Sequence, residues 1–316
     1  MAALNNPSAA AVSRARQKNI WMNRLFISVT GSCCVLIILA VVIILGNIVI
    51  HGLSNLSWEF LTTAPRAGMT AGGIFPAIFG TFALVTLMTL AVVPLGIATA
   101  VYLHEYAPRR SKLVEAVRLA IQNLAGVPSI VFGLFGLGFF IQFLGGGIDR
   151  IFFGGRLIFG QPAILWAALT LALLTLPTVV VATEEAIRAV PDMLREAAYA
   201  LGATRWQVVR RVVLPQALGG ILTGAILAVS RGAGEVAPIM FTGAAYYLPY
   251  LPNRLNDQFM ELGYHVYVMA TQSPDVEKTK PILYSTVFVL LALTFSLNFT
   301  AIWVRAKIRR RLRGGR

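Results

Sequence analysis

The chain has 316 residues, of which 57% are hydrophobic and only 13% charged. An ordinary soluble domain has about 45–50% and about 25%, so a soluble globular protein is excluded. The 27 Lys and Arg exceed the 13 Asp and Glu, for a net charge of +14; this would suggest nucleic acid in a soluble chain, but here it must first be read as membrane topology. The two cysteines, Cys33 and Cys34, stand side by side in an apolar run. They provide neither a disulfide framework nor a metal-ligand set and are expected to pack as small apolar residues.

Crossing about 30 Å of hydrocarbon takes roughly 20 apolar residues as a helix. The stretches free of charge are 25–50, 67–103, 119–148, 157–183, 212–230 and 281–304. Arg14, Arg16, Lys18 and Arg24 precede the first, as in a secretory signal, but the run is too long and no small-x-small site closes it. We therefore expect a cytoplasmic tail over 1–24 and a retained helix over 25–50. The second run overshoots a bilayer, so its helix is placed at 73–103, starting near Gly72 and Gly73, with kinks at Pro76 and Pro94. A third helix is expected at 119–144, interrupted at Pro128-Ser129, and a fourth at 162–183. The fifth run stops at Arg231 but resumes uncharged from Val236, which suggests one helix over 216–245 passing through Arg231 and Glu235. A sixth, 281–304, leads into a basic tail, 305–316. No segment alternates like a barrel strand, so the expected class is an all-α membrane protein with a six-helix domain over 25–304.

With the N-terminus in the cytoplasm, 20 Lys and Arg fall on the cytoplasmic side and six outside, which predicts both termini inside. The basic excess then reflects topology and contact with anionic lipid rather than nucleic acid.

The cytoplasmic connection 184–215 has its own helical patterning. Met193, Leu194, Ala197, Ala198 and Leu201 form one stripe, and Gly202 follows where a left-handed cap belongs. Thr204 and Gln207 form a capping box, Trp206, Val209 and Val213 share a face, and Pro215 marks the next span. Two short amphipathic helices meeting at a glycine suit docking into a partner's groove. Spacing alone equally allows a hairpin lying on lipid headgroups; a helix-turn-helix on DNA is disfavoured by the membrane tether at both ends.

Arg231 stands inside a membrane segment, where an arginine costs about 2.5–3.5 kcal/mol on insertion scales and usually faces a bundle interior or an aqueous path. Glu235, four residues on, is within pairing distance, and Gly232 and Gly234 leave room beside them. At 1.5 Å per residue the pair lies roughly 22 Å from the cytoplasmic end of its helix. It is read either as a guanidinium offering bidentate donors to an oxyanion, with Glu235 holding it, or as a structural ion pair at a subunit contact. Ser129, after the Pro128 interruption, follows a point where backbone N–H groups could face an anion; a kink repaired by neighbouring helices is the alternative.

Glu196-Ala197-Ala198, Gly202 and, nine residues on, Val212-x-Leu214-Pro215 resemble the EAA signature of ABC importer permeases, EAA-x3-G-x9-I-x-L-P, with Val in place of Ile. Three further stretches resemble the phosphate branch of that family, the PstA-type permeases: Gly72 to Ile78, Asn123 to Leu134, and Ser230 to Pro238. The resemblance implies an ABC importer permease (MetI-like) fold in the bacterial cytoplasmic membrane. It also implies that the loop couples to an ATPase, with Glu196 orienting it by polar contacts, Gly202 permitting its turn, and Ala197, Ala198, Leu214 and Pro215 completing the signature. Arg231 and Glu235 would line the substrate pathway, to which the Pro128 interruption adds Ser129. The implied partners are a homologous second permease (PstC-like), two copies of an ATP-binding subunit (PstB-like) and an extracytoplasmic phosphate-binding protein (PstS-like) meeting the loops near 51–71, 145–161 and 246–280. No cofactor is expected in the chain itself, ATP and Mg being bound by the ATPase.

The chain has no Gly-Lys dipeptide and so cannot contain a P-loop. No H-E-x-x-H or G-x-S-x-G occurs, and His104 and Glu105 are expected at headgroup level. Nor is there a persuasive repeat between residues 1–155 and 156–316 of the kind common in ion-coupled secondary transporters. An ATP-driven phosphate importer is the leading expectation; a permease for molybdate, sulfate or phosphonate is the nearest alternative.

Overall fold

A computed structural model describes residues 7–108, 111–273 and 275–314. Residues 1–6 and 315–316 of the two expected tails lie outside the described residues. Six helices among those described are long and apolar enough to cross a membrane: Asn19–Leu53, Phe75–Tyr106, Ser129–Phe152, Ile164–Arg188, Arg205–Gly232 and Val276–Ile308.

The chain opens with α1 (Pro7–Leu53), which continues as one helix through the expected tail. Cys33 and Cys34 are exposed on its surface rather than packed. After α2 (Trp58–Thr62), two two-residue strands, β1 (Pro65–Arg66) and β2 (Ala71–Gly72), form a small antiparallel ribbon pairing Pro65 with Gly72. The second span, α3 (Phe75–Val101), has Pro76 in its first turn, where a missing N–H costs nothing. Pro76 therefore starts the helix instead of kinking it. The chain then widens into a π-turn, Tyr102–Tyr106.

The expected third helix, 119–144, is two helices. One is α4 (Lys112–Leu124), which reaches back into the stretch read as a loop; the other begins at α5 (Ser129–Phe135) and continues through a π segment, Gly136–Gly145, into α6 (Gly146–Phe152). The break follows from Gly126 and Pro128: the proline ring removes a donor and pushes Val127 out of the helical region. The fourth span is α7 (Ile164–Arg188), followed by α8 (Asp192–Ala200) and α9 (Arg205–Val208); a π-turn, Val209–Val213, leads into α10 (Leu214–Gly232). The short α11 (Ile239–Thr242), α12 (Leu262–Thr271) and α13 (Val276–Gly314) complete the chain.

α3, α7 and α10 form the centre. Gly220 and Gly224 of α10 face Ala186 and Ala182 of α7, two small-x-x-x-small pairs that let the backbones approach closely, as membrane packing without a hydrophobic driving force requires. Gly96 of α3 packs in the same way on Val179. Two buried threonines of α7 satisfy themselves within the helix, Thr170 donating to the Trp166 carbonyl at 2.7 Å and Thr175 to that of Leu171 at 2.8 Å, whereas the Thr183 hydroxyl has no partner among the described residues. α1 packs along α13, where the Ser285 hydroxyl donates to the Gly52 carbonyl at 2.8 Å; most of its apolar surface is exposed.

The loop after α6 is held by one buried carboxylate. Asp149, 1% exposed, accepts backbone N–H bonds from Ile158 (2.9 Å), Phe159 (2.9 Å) and Gly160 (2.7 Å).

Candidate functional site

The site has two parts: a break at the end of α10 and the connection between α7 and α10.

α10 does not pass through Glu235. It stops at Gly232, and the chain turns through Ala233–Pro238 before α11. The expected helix over 216–245 is thus overturned beyond Gly232, because two glycines and Pro238 within seven residues remove the helical preference. The pair forms nonetheless: Arg231 Nε lies 3.6 Å from Glu235 Oε1, with the two side chains 41% and 21% exposed. Gly232 is buried and faces Met88 of α3, leaving no space for a β-carbon, whereas Gly234 faces open space. Beside Arg231, the Asn298 amide donates to the Ser230 hydroxyl at 3.2 Å, tying α13 to the end of α10.

Of the other stretches singled out in the sequence, Asn123 to Leu134 reaches this break through Gly133, whereas Gly72 and Gly73 pack on the backbone of residues 59–66. Gly133 of α5 packs on Pro238 and Phe241, and Gly263 of α12 packs on Val236. Gly80 of α3 lies against the Met260 backbone. Glycine in these places is a packing requirement. Ser129 sits half-exposed at the start of α5, one turn before Gly133, and makes no side-chain hydrogen bond among the described residues. It is not in contact with Arg231 by any recorded hydrogen bond or ion pair.

Below α12, Glu261 is 2% exposed; its carboxylate caps that helix, accepting from Gly263 N (2.8 Å) and Tyr264 N (2.6 Å). The Leu262 N–H is bonded to Thr81 of α3 at 2.9 Å. Burial pushes the Glu261 carboxyl up to about 7. His265, also 2% exposed, has an unpartnered Nδ1 among the described residues, and burial pushes it down to about 4.

The connection between α7 and α10 folds as two helices around Gly202. Its φ is +79°, Ala203 N donates to Ala198 O at 3.1 Å, and Gly202 N donates to Tyr199 O at 2.9 Å, the double bond pattern of a Schellman cap. Thr204 and Gln207 form the reciprocal capping box, at 2.8 and 3.4 Å. Pro215 lies in the first turn of α10 and Leu214 packs on the Val208, Val209 and Val213 cluster. The stripe on α8 is largely uncovered: Met193 is 74% and Leu201 90% exposed, and only Ala198 packs inward.

Glu196 is exposed and makes no hydrogen bond among the described residues. The contacts that orient this loop come from its neighbour. Arg195 donates to Glu105 Oε1 (3.1 Å), to the carbonyls of Val190 (2.7 Å) and Ile187 (2.9 Å), and to Asp192 (2.9 Å). Glu105 is therefore a buried partner at the end of α3. The adjacent Tyr106 ring lies under the Arg205 guanidinium at 5.1 Å. The end of α3 thus holds both α8 and α9. Arg118 of α4 adds a clamp, pairing with Glu184 at 2.7 Å and donating to the Leu103 carbonyl at 2.7 Å. Sequence reasoning missed Glu105 and Arg195; a Glu beside a π-turn and an Arg within an apolar stripe were the available signals.

Comparison with known proteins places this geometry. Residues 92–314 match the family described as binding-protein-dependent transport system inner membrane component. The chain is 40% identical over 212 residues to the probable ABC transporter permease protein YqgI of Bacillus subtilis, covering 67% of each chain. It is 33% identical over 268 residues to the probable phosphate transport system permease protein PstA of Methanocaldococcus jannaschii, covering 84% of this chain and 88% of that one. Other curated relatives match over as little as 50% of their own length. In fold it is similar to a chain of a bacterial alginate ABC transporter solved with its alginate-bound periplasmic protein, with a TM-score of 0.65 at 14% identity over 93% of this chain and 97% of that one. With the matched model spanning well over half of the sequence, the chain belongs to the family of inner membrane components of binding-protein-dependent transport systems.

Proposed function

We propose that the chain is the permease subunit of an ATP-driven importer of inorganic phosphate in a bacterial cytoplasmic membrane, forming half of the translocation pathway, with both termini cytoplasmic. The observation that carries this reading is the Arg231–Glu235 pair at the broken end of a membrane helix. It is a bidentate anion donor held by a carboxylate and open on the Gly234 side. Names carried by relatives, such as phosphate transport system permease protein PstA, support phosphate as the substrate.

In this reading the exposed Met193 and Leu201 surface docks in an ATPase groove, and Glu196 reaches that partner rather than its own chain. Closure of the ATPase pair moves α8. Glu105 and Tyr106 pass the movement to α3, whose Met88 packs on Gly232, next to Arg231. A second permease supplies the other half of the pathway, an extracytoplasmic phosphate-binding protein delivers the substrate, and the chain has no ATPase site of its own.

The test is radiolabelled phosphate uptake in cells whose only copy of this subunit is this chain. We expect uptake to be lost on ATP depletion and to survive collapse of the membrane potential. The reverse pattern would assign the chain to ion-coupled transport, and absence of chain-dependent phosphate uptake would move the substrate to another oxyanion.

A further inference from the structure

Tyr102, 55% exposed, divides two apolar crevices on the side of the molecule that carries α8 and α9. The first has a volume of about 310 Å³ and lies between α3 and α4, lined by Ala98, Thr99, Tyr102, Leu113, Val114 and Val117. The second, about 360 Å³, runs from Ile97 and Tyr106 to Trp206 and Leu214 of the coupling segment.

The first crevice has a direction. α3 leaves its span toward Tyr106 and α4 begins at Lys112, so the end at Tyr102 and Leu113 faces the aqueous boundary. The end at Ala98 and Val117 faces the bilayer interior. Leu95, exposed one turn deeper on α3, extends the apolar stripe inward. Lys112, exposed at the boundary end, supplies a cation. An apolar trench opening toward hydrocarbon beneath a lysine has the chemistry of one acyl chain under an anionic headgroup.

We propose that this crevice is a site for an anionic phospholipid, with one acyl chain between α3 and α4 and the phosphate at Lys112. The lipid's position gives it a consequence for coupling. Its wall, Tyr102 and Leu103, belongs to the π-turn whose next residues are Glu105, bound to Arg195, and Tyr106, under Arg205. Leu103 also receives the Arg118 bond that closes the crevice from behind. An occupied crevice props α4 off α3 and fixes the turn that holds both coupling helices. The site itself is independent of the phosphate reading; only its effect on coupling rests on it.

The assembled transporter, purified in mild detergent, is moved into nanodiscs of phosphatidylcholine with added phosphatidylglycerol, and retained lipid is counted by native mass spectrometry. Wild type should retain phosphatidylglycerol selectively. Lys112→Glu should lower retention by roughly fivefold or more, the factor one basic side chain contributes at an anionic surface. Val117→Trp, whose indole fills this crevice and not the second, should remove lipid of either headgroup and raise the ATP hydrolysed per phosphate moved. Equal retention in all three proteins overturns the proposal, as does equal retention of phosphatidylcholine, or a photo-crosslink from position 113 to the second permease. If Val117→Trp fails to assemble, Lys112→Glu, a change at an exposed charge, carries the test alone. Lipid counts do not depend on the transported substrate, so failure of the phosphate reading would leave them unchanged.

Discussion

Arg195 and Glu105, 90 residues apart in sequence, meet at 3.1 Å with side chains only 11% and 8% exposed. The guanidinium also takes the carbonyls of Ile187 and Val190 at the end of α7, so one side chain joins α3, α7 and α8. Removing one partner of a buried pair costs about 3–5 kcal/mol because the other charge is left uncompensated. Glu105→Ala is therefore expected to abolish phosphate uptake and weaken retention of the ATPase subunit on co-purification. The charge-swapped double variant, Glu105→Arg with Arg195→Glu, should not rescue, since a carboxylate at 195 would face two carbonyls. Rescue by the swap would reduce the contact to a simple ion pair.

At Gly202 the space around the missing side chain is open, so the penalty for any other residue is one of backbone conformation alone. A left-handed L-residue costs about 1–2 kcal/mol, least for Asn. Gly202→Val should block ATP-driven uptake while the protein still inserts, and Gly202→Asn should retain a substantial part of it. Uptake by the Val variant at the wild-type rate would show that the turn does not matter to coupling.

Substitutions at Arg231 separate pathway from packing. Arg231→Gln keeps a polar amide but loses the charge and the reach of the guanidinium; it should eliminate uptake in a transporter that assembles normally. Arg231→Lys should be impaired as well, because an ammonium cannot reproduce the two-donor fork. Normal uptake with Gln would leave Arg231 and Glu235 as a structural pair.

Glu261 and His265 give the segment around α12 opposing pH dependences. A carboxyl raised to about 7 from 4.5 contributes stability that is complete below about 4.5 and lost as pH rises through about 7. A histidine lowered to about 4 from 6.5 contributes stability that is complete above about 6.5 and lost as pH falls through about 4. Between about 4.5 and 6.5 the two slopes oppose, so the protection factors of the α12 amides, measured against the base-catalysed intrinsic exchange rate, should be nearly flat in the wild type. Glu261→Gln should lose protection on acidification, and His265→Leu should lose it on raising the pH. Parallel slopes in the two variants would refute the assignment.

The six spans and the glycine turn were legible because each rests on local chemistry: apolar length for the spans, and Gly202 with the Thr204 and Gln207 box for the turn. The breaks were read less well. An uncharged run continues past Arg231 in hydropathy, yet Gly232, Gly234 and Pro238 end α10, since backbone preference and not polarity decides where a helix stops. The same held at Gly126 and Pro128. The role of Glu105 went unread because its burial depends on Arg195, a pairing across 90 residues that no local pattern encodes. The reason for glycine at 133, 232 and 263 is likewise visible only once Pro238, Met88 and Val236 are in place.

Of these contacts, the one between Met88 and Gly232 has a mechanical meaning. Met88 is fully buried, and its sulfur and terminal methyl, not a branched or aromatic group, meet the end of α10. An unbranched thioether re-rotates to fill irregular gaps at small cost, and glycine offers nothing to catch on. The joint therefore has the makings of a lubricated bearing: the end of the helix carrying Arg231 can shear against α3 without opening a void.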